Sequence, residues 1–407
     1  MIGEFADAFC IIVWNSHHSH SPRREGDTFI PHTQRPKQGV RIECWIRRRL
    51  HKIGQSKIEQ DTIRYDTIQQ RRLMEEESIT EKLADVGTKI LHYLDFEFDR
   101  SAGTIFVTGG HGSMSYRVAS RLLNAGFPSV RVGALHADEM SDLNKLGAEV
   151  ADFSWSNDET YAKALNGAKS VFCTTPHHEG WDKEFELFLE ACQQAEVKHI
   201  VKMSFYHANK PADELQEVPL VKLHGECDKK LMQSGIAYTI VAASHLMSNP
   251  LVYQIKNLQD DKTPAKLYGA SAGRAVNYVS PNDVAETAVR ALLAPKDHVD
   301  KVYSLTGPVP IKEDEVAALL GKFMNKPVMY VDQPIEFFEM EEKRSGDPSW
   351  LVEDLVSLEK MKASGHEGYI SFLSTDFENI CGHKAETFED YLANIDTMSP
   401  REKALAA

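Results

Sequence analysis

The chain has 407 residues, 42% of them hydrophobic and 26% charged, with a formal net charge of −14. This suits a globular protein with a large core, organised as one two-lobed domain plus an extension, and the negative charge argues against a nucleic-acid backbone or an anionic membrane surface as the main partner. Six scattered cysteines show neither a C-x-x-C pair nor metal-ligand spacing, so no metal site is expected and a reducing, cytoplasmic setting fits, with the nucleus as the alternative address.

Residues 1–100 read as an N-terminal extension. The segment MIGEFADAFCIIVW carries Glu4 and Asp7 where a signal peptide has a basic region. No apolar run approaches the roughly 20 residues that a membrane span needs. Residues 21–52 hold nine Lys or Arg against three acids, with Pro22, Pro31 and Pro36, the composition of a disordered basic arm. His17, His18 and His20 beside it read as incidental to a polar tail. From 78 to 96, Ile79, Leu83, Val86, Ile90 and Leu94 mark one face of an amphipathic helix.

The stretch TIFVTGGHGSMSYRVASRLLNAG, 104–126, reads as strand, glycine turn and helix. Thr104 to Val107 is β-branched and aromatic, Gly109 to Gly112 breaks the strand, and Met114, Val118 and Leu122 recur at helical spacing until Gly126 stops them. The turn lies at a helix N-terminus, whose N–H groups and dipole favour an anion such as a pyrophosphate. Gly109 and Gly112 fill the first two positions of a dinucleotide fingerprint, and Ser115 stands at the third, where helix packs on strand. A serine there adds two heavy atoms at a close contact, an overpacking expected to cost roughly 1–3 kcal/mol unless the backbone spreads.

Further strands are expected at 129–134, 148–153, 169–174, 198–204 and 237–242, with helical patterns between them. Such alternation builds right-handed βαβ crossovers and an α/β, doubly wound parallel sheet. A ligand then lies beyond the carboxyl ends of the strands, where Gly109 to Ser115, Leu135 and His136, Asp152 and Phe153, and Thr174 to Pro176 converge. Ser280, Pro281 and Asp283 form a helix start, and Trp350, Leu351, Leu355 and Leu358 form a core stripe. Cys173 sits in a buried strand and reads as core in preference to a reactive thiol.

Over about 103–395 the chain resembles the NmrA-like group of atypical short-chain dehydrogenases. The resemblance is carried, in order, by TGGHG at 108–112, VADF at 150–153, VFCTTP at 171–176, VKHIVKMS at 197–204, HGECDKKLMQSGIAYTIV at 224–241, NYVSPNDVAETA at 277–288 and YSLTGP at 303–308. It implies a Rossmann-like NAD(P)-binding domain over 101–400, with a smaller C-terminal α/β lobe for substrate or partner mainly within 245–400. It also implies that Gly109, Gly110, His111, Gly112 and Met114 hold the pyrophosphate, that Asp152 and Phe153 border the adenine, and that Thr174, Thr175 and Pro176 face the nicotinamide ribose. Leu135 occupies the slot where NADP-preferring members carry an arginine; His136 and Arg117 are the substitutes at hand, and NADP is favoured over NAD on family grounds.

Short-chain dehydrogenases resemble one another in a Ser, Tyr and Lys set. Here Ser204 fills the serine slot, His224 the lysine position of the benzylic ether reductases, and Leu220 the tyrosine position. Leucine donates no proton, and a missing general acid typically removes about 10² to 10⁴ in rate. His224 and Tyr206 are the replacement acids. The resemblance implies an oxidoreductase reducing a small carbonyl or quinone; the alternative is a non-catalytic NAD(P)H redox sensor that regulates a protein partner.

Overall fold

The computed structural model describes residues 103–110, 112–136, 140–175, 178, 180–206, 208, 218–259, 264–344, 346–365 and 372–394. The extension over 1–100, with its basic arm, histidine group and expected helix, lies outside the described residues, as do His111 and Pro176.

Seven parallel strands form the main sheet: β1 Thr104–Val107, β2 Val130–Ala134, β3 Glu149–Asp152, β4 Ala168–Cys173, β5 His199–Phe205, β6 Ala237–Ala243 and β7 Lys301–Leu305. Their order is β7-β6-β5-β4-β1-β2-β3, the Rossmann arrangement, which reverses direction between β1 and β4 and opens the ligand crevice there. The central strands are near-continuous apolar runs because helices cover both faces of the sheet. Ile105, Phe106, Val107, Val171, Phe172, Ile200 and Val201 are all buried. Lys202 breaks that rule inside β5, and it is fully buried.

Helix α1 (Ser113–Asn124) turns Met114, Val118 and Leu122 onto the sheet. It ends as its sequence requires: Gly126 takes φ +77° and closes the C-terminus with an N–H donated to the Leu123 carbonyl. Helix α2 (Trp181–Gln194) follows β4, and α3 (Pro219–Gln233) follows β5. Helix α4 (Pro281–Leu293) is buried all round and packs along α1. It starts as expected, with Ser280 accepting from the Asn282 N–H and Pro281 in the first turn.

Beyond β6 the chain builds a smaller α/β region. Ala265–Gly269 pairs in parallel with Val328–Asp332, and His245–Leu246 with Tyr278–Val279. Leu251, Leu267, Val316, Leu320, Tyr391 and their neighbours fill its core. Helix α5 (Ser349–Ser364) joins this region to the main domain, because the Asp354 carboxylate accepts the Leu220 N–H at the start of α3 (2.8 Å). Leu220 itself is wholly buried beside Phe205 and Leu358, so the side chain at the tyrosine position is a packing residue.

The LTGP segment after β7 has a packing reason. A Cβ on Gly307 would stand 2.0 Å from the Tyr278 carbonyl oxygen, a backbone atom with no room to retreat. Gly307→Ala is therefore expected to destabilise the protein by about 3 kcal/mol, the upper end of overpacking, seen as a lowered urea midpoint with unchanged slope.

Candidate functional site

The glycine turn is built for close approach. Gly109 takes φ +59°, which a side chain would strain. Gly110 donates its N–H to the Gly133 carbonyl (2.8 Å), and a Cβ there would lie 2.2 Å from Val132 Cγ1 and 2.9 Å from Met140 Sδ. Gly110 is therefore needed to seat the turn on β2. Gly112 is the N-cap of α1; no side chain caps this helix, and its first turn carries no acid. That donor set and dipole fit a diphosphate.

Ser115 does not overpack the turn, contrary to expectation. It is fully buried, and its hydroxyl bonds the Thr174 hydroxyl (3.1 Å) at the end of β4. Thr174 is held in turn by Thr108, whose hydroxyl donates to the Thr174 carbonyl (3.2 Å) and accepts its N–H (3.0 Å). The extra atoms thus become a tether between α1, β1 and β4. The same bonds commit the Thr174 side chain to the scaffold, while Thr175 is half-buried at the crevice.

The other expected positions separate. Leu135 and His136 are exposed at the end of β2, and Asp152 is exposed at the end of β3, 3.9 Å from Lys163. Arg117 is buried, with Nε donating to Asn282 Oδ1 (3.1 Å) and Nη1 bonded to the Ser113 hydroxyl, so its guanidinium is committed to α4 and its own helix. Phe153 is a core residue: its ring stacks on Tyr161 at 5.4 Å and meets Phe106, Trp155 and Phe188 edge-on. The ring of this strand-end aromatic is packed into the core beneath the end of β3. Tyr206 is likewise only 1% exposed, packed against Phe372 and the Phe205 to Leu220 cluster.

Ser204 and His224 come together around two residues that the sequence reading passed over, Lys202 and Asp228. Lys202 Nζ donates to Asp228 Oδ1 (2.7 Å), to the Met203 carbonyl (3.3 Å) and to His224 Nδ1 (3.4 Å), which uses all three ammonium hydrogens. Ser204 Oγ donates to the other carboxylate oxygen, Asp228 Oδ2 (2.6 Å). Both charged side chains are buried, at 0% and 1% exposure. An ammonium has no lone pair, so Nδ1 of neutral His224 must accept, and the ring proton sits on Nε2. Trp181 meets the His224 ring edge-on at 5.1 Å, and its buried Nε1 has no acceptor among the described residues. The signal was present: a lone lysine in the apolar run HIVKMSF needs a buried partner, and Leu220, His224 and Asp228 share one face of α3 at four-residue spacing.

Cys173 is buried at the end of β4, and burial pushes its thiol up to about 12, as befits a core residue. Among the described residues no helix is long and apolar enough to cross a membrane.

Fold, glycine turn and strand-end crevice together define a Rossmann dinucleotide-binding protein. Residues 109–295 match the NAD(P)H-binding family. The chain is 27% identical over 287 residues to the NAD(P)H azoreductase of Xenophilus azovorans, covering 70% of this chain and 96% of that one. Its fold is similar to the NADPH-dependent quinone oxidoreductase of Escherichia coli solved with NADPH (TM-score 0.60, 22% identity, 72% of this chain and 100% of that one). It is also similar to a double mutant of NmrA (TM-score 0.56, 18% identity, 72% and 94%). Residues 109–295 thus match NAD(P)H-binding proteins, and the fold over the described residues is similar to that of NmrA.

Two measurements follow. Asp228→Asn leaves a buried ammonium without its counter-charge and should cost about 3–5 kcal/mol in urea unfolding; joined to Lys202→Met it should cost less than the two single changes added together. Leu135→Arg supplies the missing cation at the β2 end and should tighten NADPH binding about tenfold, with NADH unchanged, by calorimetric titration.

Proposed function

We propose that the protein is an NAD(P)H-dependent reductase of a small carbonyl or quinone substrate, with NADP(H) the preferred form, and that His224 supplies the proton. The observation that carries this reading is the cluster at the carboxyl end of β5, in which buried Lys202, Asp228 and Ser204 hold the partly exposed His224. Gly109, Gly110, Gly112 and Met114 would hold the diphosphate, the β2 and β3 ends the adenosine half, and Thr175 and the Ser204 region the nicotinamide half. When bound, the dinucleotide supplies a hydride to the substrate.

The chain's own part is the proton. His224 offers the hydrogen on Nε2 to the developing alkoxide or phenoxide, and Nδ1 then takes a hydrogen from the Lys202 ammonium in contact with it. Proton count and charge balance: the ring ends neutral with its hydrogen on Nδ1 and Lys202 is left as an amine; because Lys202 is buried, it regains its proton from Nδ1 when Nε2 of the partly exposed ring takes one from solvent after turnover. Asp228 holds Lys202 and Ser204 in place throughout. The Ser204 hydrogen is already given to Asp228, so this hydroxyl acts as a positioning group and the oxygen remains an acceptor. Tyr206, packed under Phe372, takes no part.

One observation favours the second reading, a non-catalytic redox sensor: the tyrosine position is a buried leucine, and the serine hydrogen is committed to a carboxylate. The two readings separate by assay. The reductase reading expects NADPH oxidation with members of a quinone panel, reduced about 10² to 10⁴ by His224→Gln with NADPH affinity retained, and unaffected by Tyr206→Phe. Tight NADPH binding without turnover of any quinone, joined to partner binding that differs between NADPH and NADP, would instead establish the sensor.

A further inference from the structure

A cavity of about 340 Å³ opens within the smaller α/β region, a volume in the range of small-molecule sites. Phe205 and Phe338 give it aromatic walls, and Leu351, Leu355 and Leu358 of α5, the stripe that reads as core, give it an apolar one. Glu313, Glu359 and Lys362 also line it. Their side chains are nearly sealed, at 6%, 12% and 10% exposure, so each of their polar atoms needs a partner.

Not every one of them has a partner within the protein. Burial opposes the charge on Lys362, but Glu359, Tyr278 and Glu313 together outweigh it and hold the ammonium protonated. Its Nζ donates to Glu359 Oε1 (2.6 Å) and to Glu313 Oε1 (3.1 Å). An ammonium carries three hydrogens, and the third meets no acceptor among the described residues. Glu359 is complete, because its Oε2 accepts the Ala270 N–H (2.7 Å). Glu313 is not: Oε1 receives both Lys362 and the Tyr278 hydroxyl (2.8 Å), while Oε2 receives no donor among the described residues. Oε2 is not enclosed by protein, and Glu313 lines the cavity, so a ligand there can reach it. One hydrogen and one lone pair thus stand open on two groups that already touch each other. A cation would meet the ammonium, and an anion the carboxylate. A hydroxyl suits both, since it accepts from the first and donates to the second.

We propose that this cavity is a binding site for an uncharged aromatic compound bearing a hydroxyl group. The hydroxyl oxygen accepts from Lys362, its hydrogen goes to Glu313 Oε2, and the rings lie against Phe205, Phe338 and Leu355. Both hydrogen bonds are charge-assisted and therefore strong, so the hydroxyl decides which aromatic compound is held while the walls supply dispersion and burial. The site stands apart from the reductase reading: it needs neither His224 nor a turnover to be occupied.

The test is calorimetric titration of the full chain near neutral pH, where a phenol is uncharged. The probes are naphthol, its methyl ether, naphthylmethylammonium and naphthoate. Naphthol should bind about 10- to 100-fold more tightly than its methyl ether, the loss expected when a hydrogen bond to a charged group is removed, and more tightly than either ion. In Glu313→Gln, Lys362 and Tyr278 keep the amide oxygen at the Oε1 position, so the amide nitrogen replaces the open acceptor with a donor. Naphthol and its ether can both accept, and should then bind within about twofold of each other. Leu355→Trp fills the volume from a half-buried position on α5 and should weaken naphthol at least about tenfold, with NADPH affinity unchanged in both variants. If Glu313→Gln does not fold, the probe series and Leu355→Trp still decide. Equal binding of naphthol and its ether by the unaltered chain, tighter binding of either ion, no binding by any probe, or a naphthol affinity indifferent to Leu355→Trp overturns the proposal. So does an undiminished preference for naphthol in folded Glu313→Gln.

Discussion

The ion pair between Lys202 and Asp228 is the constraint around which this site is arranged. Removing both charges from water is costly, and the attraction repays it only if the ammonium hydrogens and both carboxylate oxygens find partners. Here they do: the ammonium uses three acceptors, and each carboxylate oxygen receives a separate donor. Lys202 and Ser204 are two residues apart on β5, so both point to the face that α3 covers, and one carboxylate on α3 can take both. The pair therefore fixes α3 against the sheet and, in doing so, fixes where His224 sits and which of its nitrogens carries the proton. The start of the same helix is tied to α5 by Asp354. Helix α3 is thus held at its middle by the ion pair and at its start by α5.

The phosphate end uses a different solution to the same problem of holding elements in register. Where a third glycine would let helix and strand touch through dispersion alone, Ser115 and Thr174 touch through a hydrogen bond, with Thr108 closing the arrangement. A buried hydroxyl pair is stabilising only when both partners are present. The serine and the threonine are therefore best understood as one device, and the glycine that the turn depends on most closely is Gly110, pressed against Val132.

Much of this was legible in the sequence because the main sheet is buried on both faces. Continuous apolar strands such as IFV and HIV, broken by glycine turns, place six strands to within about a residue, and β7 extends them within the YSLTGP segment. Phe153 and Tyr206 share one ambiguity: both stand at strand ends, where a ring serves equally as pocket rim or core filler, and the structure buries both. The smaller region was nearly silent because its sheet pieces include pairs of two residues, too short for any periodicity. A cavity within this region was equally silent, because its lining comes from segments as distant as Phe205 and Lys362.

The consecutive residues Ser204 and Phe205 show how chemistry and recognition meet. Strand alternation sends successive side chains to opposite faces, so Ser204 joins the ion pair under α3 while Phe205 lines the cavity beside His245. The two faces differ in electrostatic character. On the first, the buried Lys202 and Asp228 charges neutralise each other beside His224. On the second, the Lys362 ammonium is shared between Glu359 and Glu313.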